Sequence, residues 1–373
     1  MAQYLTNQLP GRTVILEEVR EYLYFSGTDY LGMGHNEDFR ICLDKGFQLY
    51  GSHYGSSRNN SLQLNVYRET EGALSNYTSS PSALTVSSGM WAGQLVLKEI
   101  ENIISSQLTP NSSKKILYHY APKVHPALWG KDYATTISSW KDWAIKIVRT
   151  IQESNNQISH VICSDSIGSP WVEVFDFSIF NALSNSSNVF LIVDDSHGIG
   201  VTGIAGNGIY RQIAPLENIN TIVVASLNKA MGIPAGVILA NNNILSIIRS
   251  SPWFSGASPF APAYCYALNE FLNTHSYQKA FEKLVANVRY FQSLTAGITL
   301  FTEIADYPVF CSKNTALFQF LLEHEIMASS FSYPLTTDLP ITRLAISTLH
   351  KKEDLDKLAE VCIKFQSKIE PVF

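Results

Sequence analysis

The sequence predicts an α/β protein: a large, mainly parallel sheet domain followed by a smaller α+β domain at the C-terminus. Three observations carry this. Between about residues 80 and 245, short apolar runs alternate with helical or loop stretches, as parallel strands with covering helices do. Two of those runs, Val189-Phe190-Leu191-Ile192-Val193 and Thr221-Ile222-Val223-Val224-Ala225, are apolar but for Thr221. Strands buried on both faces read this way. Beyond about residue 265 the pattern changes to helical spacing broken by shorter strand-like pieces.

The elements follow in order. Residues 1–45 form an N-terminal segment, expected to pack against the small domain or to reach a partner subunit. Residues 46–265 form the large domain. Its strands are expected at Ala83-Leu84-Thr85-Val86, Lys115-Ile116-Leu117-Tyr118, His160-Val161-Ile162-Cys163, the two runs above, and Ala235-Gly236-Val237-Ile238-Leu239. The Asn-rich patches at 181–188 and 241–243 read as surface turns. Residues 266–373 form the small domain. It should contain a helix with Phe281, Leu284, Val285, Val288 and Phe291 on one face, and another with Leu355, Leu358, Val361, Cys362 and Phe365. Arg343-Leu344-Ala345-Ile346-Ser347 reads as a strand between them.

Composition narrows the function classes. Of 373 residues, 46% are hydrophobic and only 16% charged, which excludes a disordered chain. A formal net charge of −5 argues against nucleic acid as a partner. No apolar run approaches the roughly 18 residues of a membrane helix, and the first residues do not resemble a secretion signal. Cys42, Cys163, Cys265, Cys311 and Cys362 are odd in number, widely spaced and without a CxxC. They read as reduced thiols in a cytoplasmic protein, buried as small hydrophobes. No metal is expected.

The chemistry gathers at strand ends, where open α/β sheets bind ligands. One apolar run enters Asp194-Asp195-Ser196-His197-Gly198. Another enters Ser226-Leu227-Asn228-Lys229. An amine able to form a Schiff base, opposite an acid able to pair with a pyridinium nitrogen, is what pyridoxal phosphate needs from a protein. Burial would lower the pKa of Lys229 and favour its nucleophilic form. Taken alone, the same lysine reads first as a solvated loop residue. Asp194 reads as a ring-nitrogen partner or as a helix cap, and Asp195 better as a cap. His197 reads as a donor to a phenolate or as a packed histidine. Ser87-Ser88-Gly89-Met90-Trp91 follows a strand and opens a helix, so its backbone N–H groups suit a phosphate, or Ser88 is simply an N-cap. His125 is able to stack on an aromatic ring, and Arg343 to grip a carboxylate bidentately. Packing and a surface ion pair are their plain alternatives.

Taken together and in order, these segments resemble the α-oxoamine synthase family of pyridoxal phosphate enzymes, which includes 8-amino-7-oxononanoate synthase, 2-amino-3-ketobutyrate CoA ligase, 5-aminolevulinate synthase and serine palmitoyltransferase. Phe25-Ser26-Gly27-Thr28-Asp29-Tyr30-Leu31-Gly32 is similar to its "SNDYLG" segment, and residues 50–58 to its glycine-rich segment. Ser88-Gly89-Met90-Trp91-Ala92, Val124-His125-Pro126-Ala127, and the runs around Asp194, Lys229 and Arg343 match further motifs. The resemblance implies the fold-type I architecture and a homodimer with interfacial active sites. It makes Lys229 the cofactor-linked lysine and Asp194 the partner of the ring nitrogen. His197, with Ser169 beside it, would meet the ring oxygen, and His125 would stack on the ring. Gly89, Met90, Trp91 and Ser226 would hold the phosphate, and Arg343, with Thr28 nearby, the substrate carboxylate. Lys229, His125 and Asp194 are thus the catalytic set. The implied reaction condenses a small α-amino acid with an acyl-CoA, with loss of carbon dioxide. An aminotransferase on the same fold, or a dimer that binds the cofactor without turnover, is the alternative. Departures fall mainly on the substrate side: Thr28 replaces the usual asparagine, His53 and Ser56 replace two glycines, Asn228 precedes the lysine, and residues 255–259 match only loosely.

Overall fold

The computed structural model describes residues 4–16, 20–107, 115–155, 157–183, 188–216, 219–332 and 338–369. Its centre is a six-stranded sheet. In spatial order the strands are Ser82–Val86, Gly236–Ala240, Ile219–Ser226, Val189–Asp194, Ile158–Asp165 and Lys115–Tyr120. The last four pair in parallel, while Gly236–Ala240 is antiparallel to both its neighbours. Five strands therefore end at one edge. The apolar run at 235–239 marks a strand but carries no sign of its direction. Direction is decided by the tight return after Lys229, too short for the helical crossover that a parallel strand needs.

The buried strands are as apolar as both-face burial demands. Every residue of Val189–Asp194 and of Gly236–Ala240 is buried. The helix Gly89–Ser106 packs on this sheet through Leu95, Val96, Ile100 and Ile103.

A second sheet orders its strands Thr13–Leu16, Arg20–Phe25, Ile326–Phe331, Ile341–Ala345, Val309–Ser312 and Thr302–Glu303. The N-terminal segment thus supplies two strands to the C-terminal sheet, and Arg20–Phe25 pairs in parallel with Ile326–Phe331. Arg12 also forms a two-bonded ion pair with Asp354, at 2.8 Å for each bond. The helices Ser276–Thr295 and Lys352–Ile369 pack against each other. In the first, Leu284, Val288 and Phe291 are buried, while Phe281 and Val285 are only half-buried. The position 265 falls inside the helix Pro262–Asn273.

Asn241 is not in a turn. It caps the helix Asn242–Ser250, its side chain accepting the Ile244 N–H. Asparagine is among the best N-caps, so the same residue type serves both roles. The other Asn-rich patch lies partly outside the described residues. All five cysteines are free, and all but Cys42 are buried. No described helix is long and apolar enough to cross a membrane.

Candidate active site

The parallel strands bring three acids and an amine to one edge. Asp165 and Asp194 end adjacent strands and lie in register with each other. Asp194 is also opposite Val224, two residues before Ser226. Its Oδ1 accepts the Ser196 N–H at 2.9 Å. Its Oδ2 lies 3.7 Å from His125 Nδ1. Asp195 points elsewhere, and its Oδ2 accepts the Ile209 N–H at 2.9 Å. It therefore ties down the far end of the glycine-rich loop instead of capping a helix. Burial pushes its carboxyl up to about 7.

Lys229 stands on a tight return between strands. The Leu227 N–H donates to Ala235 O, and the Ile233 N–H to Leu227 O. Tyr277 Oη donates to Met231 O at 2.7 Å, pinning the return from the helix Ser276–Thr295. Gly232 has φ +66°, and a Cβ there would sit 2.3 Å from Met33 Cβ. Only glycine meets both conditions. The return aims Lys229 Nζ at His197 Nε2, 2.9 Å away. Burial lowers the pKa of this amine; Arg343 lowers it further, while Asp194 and Asp165 hold it up. Burial, then Lys229 and Arg343, hold the His197 imidazole well below the usual range, so it is neutral.

The helix Gly89–Ser106 points its N-terminus at the same edge. Ser88 Oγ accepts the Trp91 N–H at 3.1 Å, so the cap is real and that N–H is already satisfied. The Gly89 and Met90 N–H groups lie in the same first turn. A Cβ at Gly89 would lie 2.4 Å from Ser226 Cβ, so the helix start and the Ser226 strand end are in close contact. This makes a backbone-lined cradle of the kind that binds phosphate.

His125 sits at the start of a short helical turn and accepts the Ala127 N–H through Nδ1 at 3.2 Å. Its backbone N–H reaches both Asp165 carboxylate oxygens at 3.2 Å. Burial lowers the His125 pKa against the opposing pull of Asp194. Burial, and then the neighbouring Asp194, push the Asp165 carboxyl well above the carboxylate range. Ser169 is half-buried and shares a small cavity with Asp165 and Lys123. Asp165 went unrecognised in the sequence, though an acid ending the apolar run at 160–163 was its signal.

Arg343 lies on the strand Ile341–Ala345, opposite Ser329 and Cys311. The side chain that meets it is not Thr28 but Tyr30, whose hydroxyl accepts from Arg343 Nη2 at 2.6 Å. Tyr30 is buried, and its oxygen also lies 3.5 Å from His197 Nδ1. Tyr307 Oη donates to His197 O at 3.1 Å. Neither tyrosine was legible as a site residue, because each acts across more than 100 positions of chain.

Beside His125 a cavity of about 640 Å³ opens, with Val124, Trp129, Tyr133, Trp171 and Ile341 among its walls and Lys123 and Lys313 at its rim. The Trp129 and Tyr133 rings stack with centroids 4.4 Å apart.

Comparisons with known proteins agree with this arrangement. Residues 29–361 match the model of the family described as aminotransferase class I and II. The 8-amino-7-oxononanoate synthase of Petrotoga mobilis is 27% identical over 352 residues, covering 90% of this chain and 86% of the relative. That of Citrobacter koseri is 25% identical over 376 residues, covering 96% and 93%. Among solved structures, Sphingomonas wittichii serine palmitoyltransferase superposes with a TM-score of 0.79 at 15% identity, over 99% of this chain and 93% of the other. The 8-amino-7-oxononanoate synthase of Francisella tularensis gives 0.65 at 18%, over 93% and 98%. With a family match across most of its length and an acid, amine and imidazole set at the carboxyl edge of its sheet, the chain belongs to the aminotransferase class I and II family, as a fold-type I, pyridoxal phosphate-dependent enzyme of the α-oxoamine synthase kind.

Proposed function

We propose that this enzyme condenses a small α-amino acid with an acyl-CoA, releasing carbon dioxide, free CoA and an α-amino ketone. The observation that carries the reading is the cluster of half-buried Lys229, His197 and His125 around the buried Asp194, at the same sheet edge as the Gly89 cradle. The relatives' names, 8-amino-7-oxononanoate synthase and serine palmitoyltransferase, supply the reaction class.

The residues fit pyridoxal phosphate. The cradle at Gly89 and Met90, with Ser226, would hold the phosphate, and the satisfied Trp91 N–H would only shape it. Asp194 would face the ring nitrogen and keep it protonated. His125 would lie against the ring, and His197 and Ser169 beside its oxygen. Once bound, the cofactor withdraws electrons from the substrate's α-carbon. The protein does the rest. Arg343 would orient the carboxylate, with Thr28 near it. Lys229 Nζ, whose pKa burial lowers, would take the α-proton as a general base in its neutral form. Burial would exclude the water that returns that proton prematurely. The apolar cavity beside His125 would take the acyl chain, and its lysine rim the anionic carrier. We assign the active form to a cytoplasmic homodimer.

The test is release of free CoA thiol from a panel of acyl-CoAs, each with and without single amino acids. Thiol release that requires one amino acid, with carbon dioxide in equal amount, is expected. Amino-group transfer to a keto acid with no thioester present would overturn the reading.

A further inference from the structure

Arg343 is a cation whose charge bears on the reacting lysine, and its environment is unusual in one respect. Its Nη2 donates to Tyr30 Oη at 2.6 Å, while its Nε is buried without a hydrogen-bond partner. A buried unsatisfied donor of a charged group is costly. Nη2 is thus anchored by a neutral phenol, while Nε beside it has no protein acceptor.

The partners of Tyr30 then follow by donor counting. An arginine only donates, so Tyr30 Oη accepts from it. Tyr307 also bears on this hydroxyl, but its own proton goes to His197 O at 3.1 Å, and the phenolic proton of Tyr30 has His197 Nδ1 within reach at 3.5 Å. With Nδ1 as acceptor, the neutral imidazole carries its proton on Nε2. That proton faces Lys229 Nζ at 2.9 Å, where the lone pair of the amine in its neutral form would accept it. Every bond in the series Arg343, Tyr30, His197, Lys229 runs in the same donor direction. Tyr30 holds its place because its ring is almost wholly buried in the hydrophobic core and its carbonyl accepts the Thr348 N–H.

We infer that Tyr30 is the positioning residue through which this enzyme selects amino acids over the corresponding amines: its hydroxyl fixes Arg343 for a substrate carboxylate and joins that arginine to His197 and Lys229. The inference rests on the proposed function and adds a residue to it. It also bears on the Thr28 departure. The side chain anchoring the arginine stands two positions later in the same segment, so a carboxylate-binding arginine survives the loss of the usual asparagine.

The test uses the holoenzyme and its visible absorption. Wild type and Tyr30→Phe are titrated with matched pairs: L-alanine and ethylamine, L-serine and ethanolamine, glycine and methylamine. Tyr30→Phe keeps the ring and removes only the hydroxyl. For the pair the wild type prefers, the variant should bind the amino acid about tenfold more weakly, one charged hydrogen bond's worth, and the amine equally well. Tyr30→Met, which fills the site without a ring, should show the same loss of discrimination. Equal weakening of both members of a pair, or no change in their ratio, would overturn the inference while leaving the proposed function standing. A wild-type protein that binds cofactor but whose spectrum responds to no amino acid would overturn the proposed function itself, and this inference with it.

Discussion

At the scale of single residues, the site is a problem of burying charge. Lys229, Asp194, Asp165, His125, His197 and Arg343 lie near enough to act on one another's charge, and burial moves several of them away from their ordinary pKa values. The amine is lowered and both imidazoles are neutral. The lysine's state is a balance, since the acids beside it oppose burial and Arg343 reinforces it. That balance makes a signed prediction. Lys229 should combine with added cofactor more readily as pH rises, levelling off below the pH expected of a free lysine. Asp194→Asn removes a charge that favours the protonated amine, so the levelling should move to still lower pH. Stopped-flow absorbance of cofactor uptake across pH measures both, and a shift to higher pH would contradict the assignment. The sequence made Lys229, Asp194 and His197 visible because they interrupt or follow buried strands. It did not show Tyr30, Tyr307 or Asp165. A phenol in a turn and an acid after a short run carry no mark of the partner each finds across the fold.

At the scale of elements, the decisive contact is between the start of the helix Gly89–Ser106 and the end of the strand Ile219–Ser226. Backbone meets side chain there with no room for a Cβ on Gly89. Gly89→Ala is therefore expected to displace the first helical turn and weaken cofactor binding by roughly tenfold or more, equivalent to about 1.4 kcal/mol. Equilibrium titration of apoprotein with pyridoxal phosphate checks this, and unchanged affinity would mean the turn is not the cradle. Most elements were legible at this scale, because their periodicities differ so plainly. Residues 189–193 and 222–225 are apolar on both faces of their strands, and the helix at 276–295 repeats at helical spacing. What periodicity leaves out is direction and partner. Nothing in the composition of residues 236–240 marks that strand as antiparallel, and the alternation at 20–25 does not reveal that it pairs with residues 326–331.

At the scale of the whole molecule, the chain's beginning is stitched to its end. Two N-terminal strands complete the C-terminal sheet, Phe25 stacks on His350 with centroids 4.0 Å apart, and Arg12 grips Asp354. Asp354 Oδ2 also accepts the Lys351 N–H at 2.8 Å, at the head of the last helix. Burial pushes this carboxyl up, but the Arg12 and Lys351 hydrogen bonds outweigh it and hold the group below the usual range. Asp354→Ala should cost about 1–3 kcal/mol at neutral pH, by denaturant unfolding. The sign of the pH dependence follows from the depressed value. The stabilisation is full above the ordinary carboxylate range and fades as pH falls through the folded-state pKa, so wild type and variant should converge in acid. A gap that widens in acid would contradict the assignment. The same stitching fixes function, because Tyr30 lies five residues beyond the end of the strand Arg20–Phe25 and reaches Arg343 on the strand Ile341–Ala345.

The central claim is that Lys229 is the residue that joins the cofactor. Purified protein supplied with pyridoxal phosphate should be reduced with borohydride, digested, and its peptides weighed. The account predicts a reduced pyridoxyl group on the peptide containing Lys229 and on no other, and its disappearance in Lys229→Ala. A label on a different lysine, or folded protein that takes none, would contradict it.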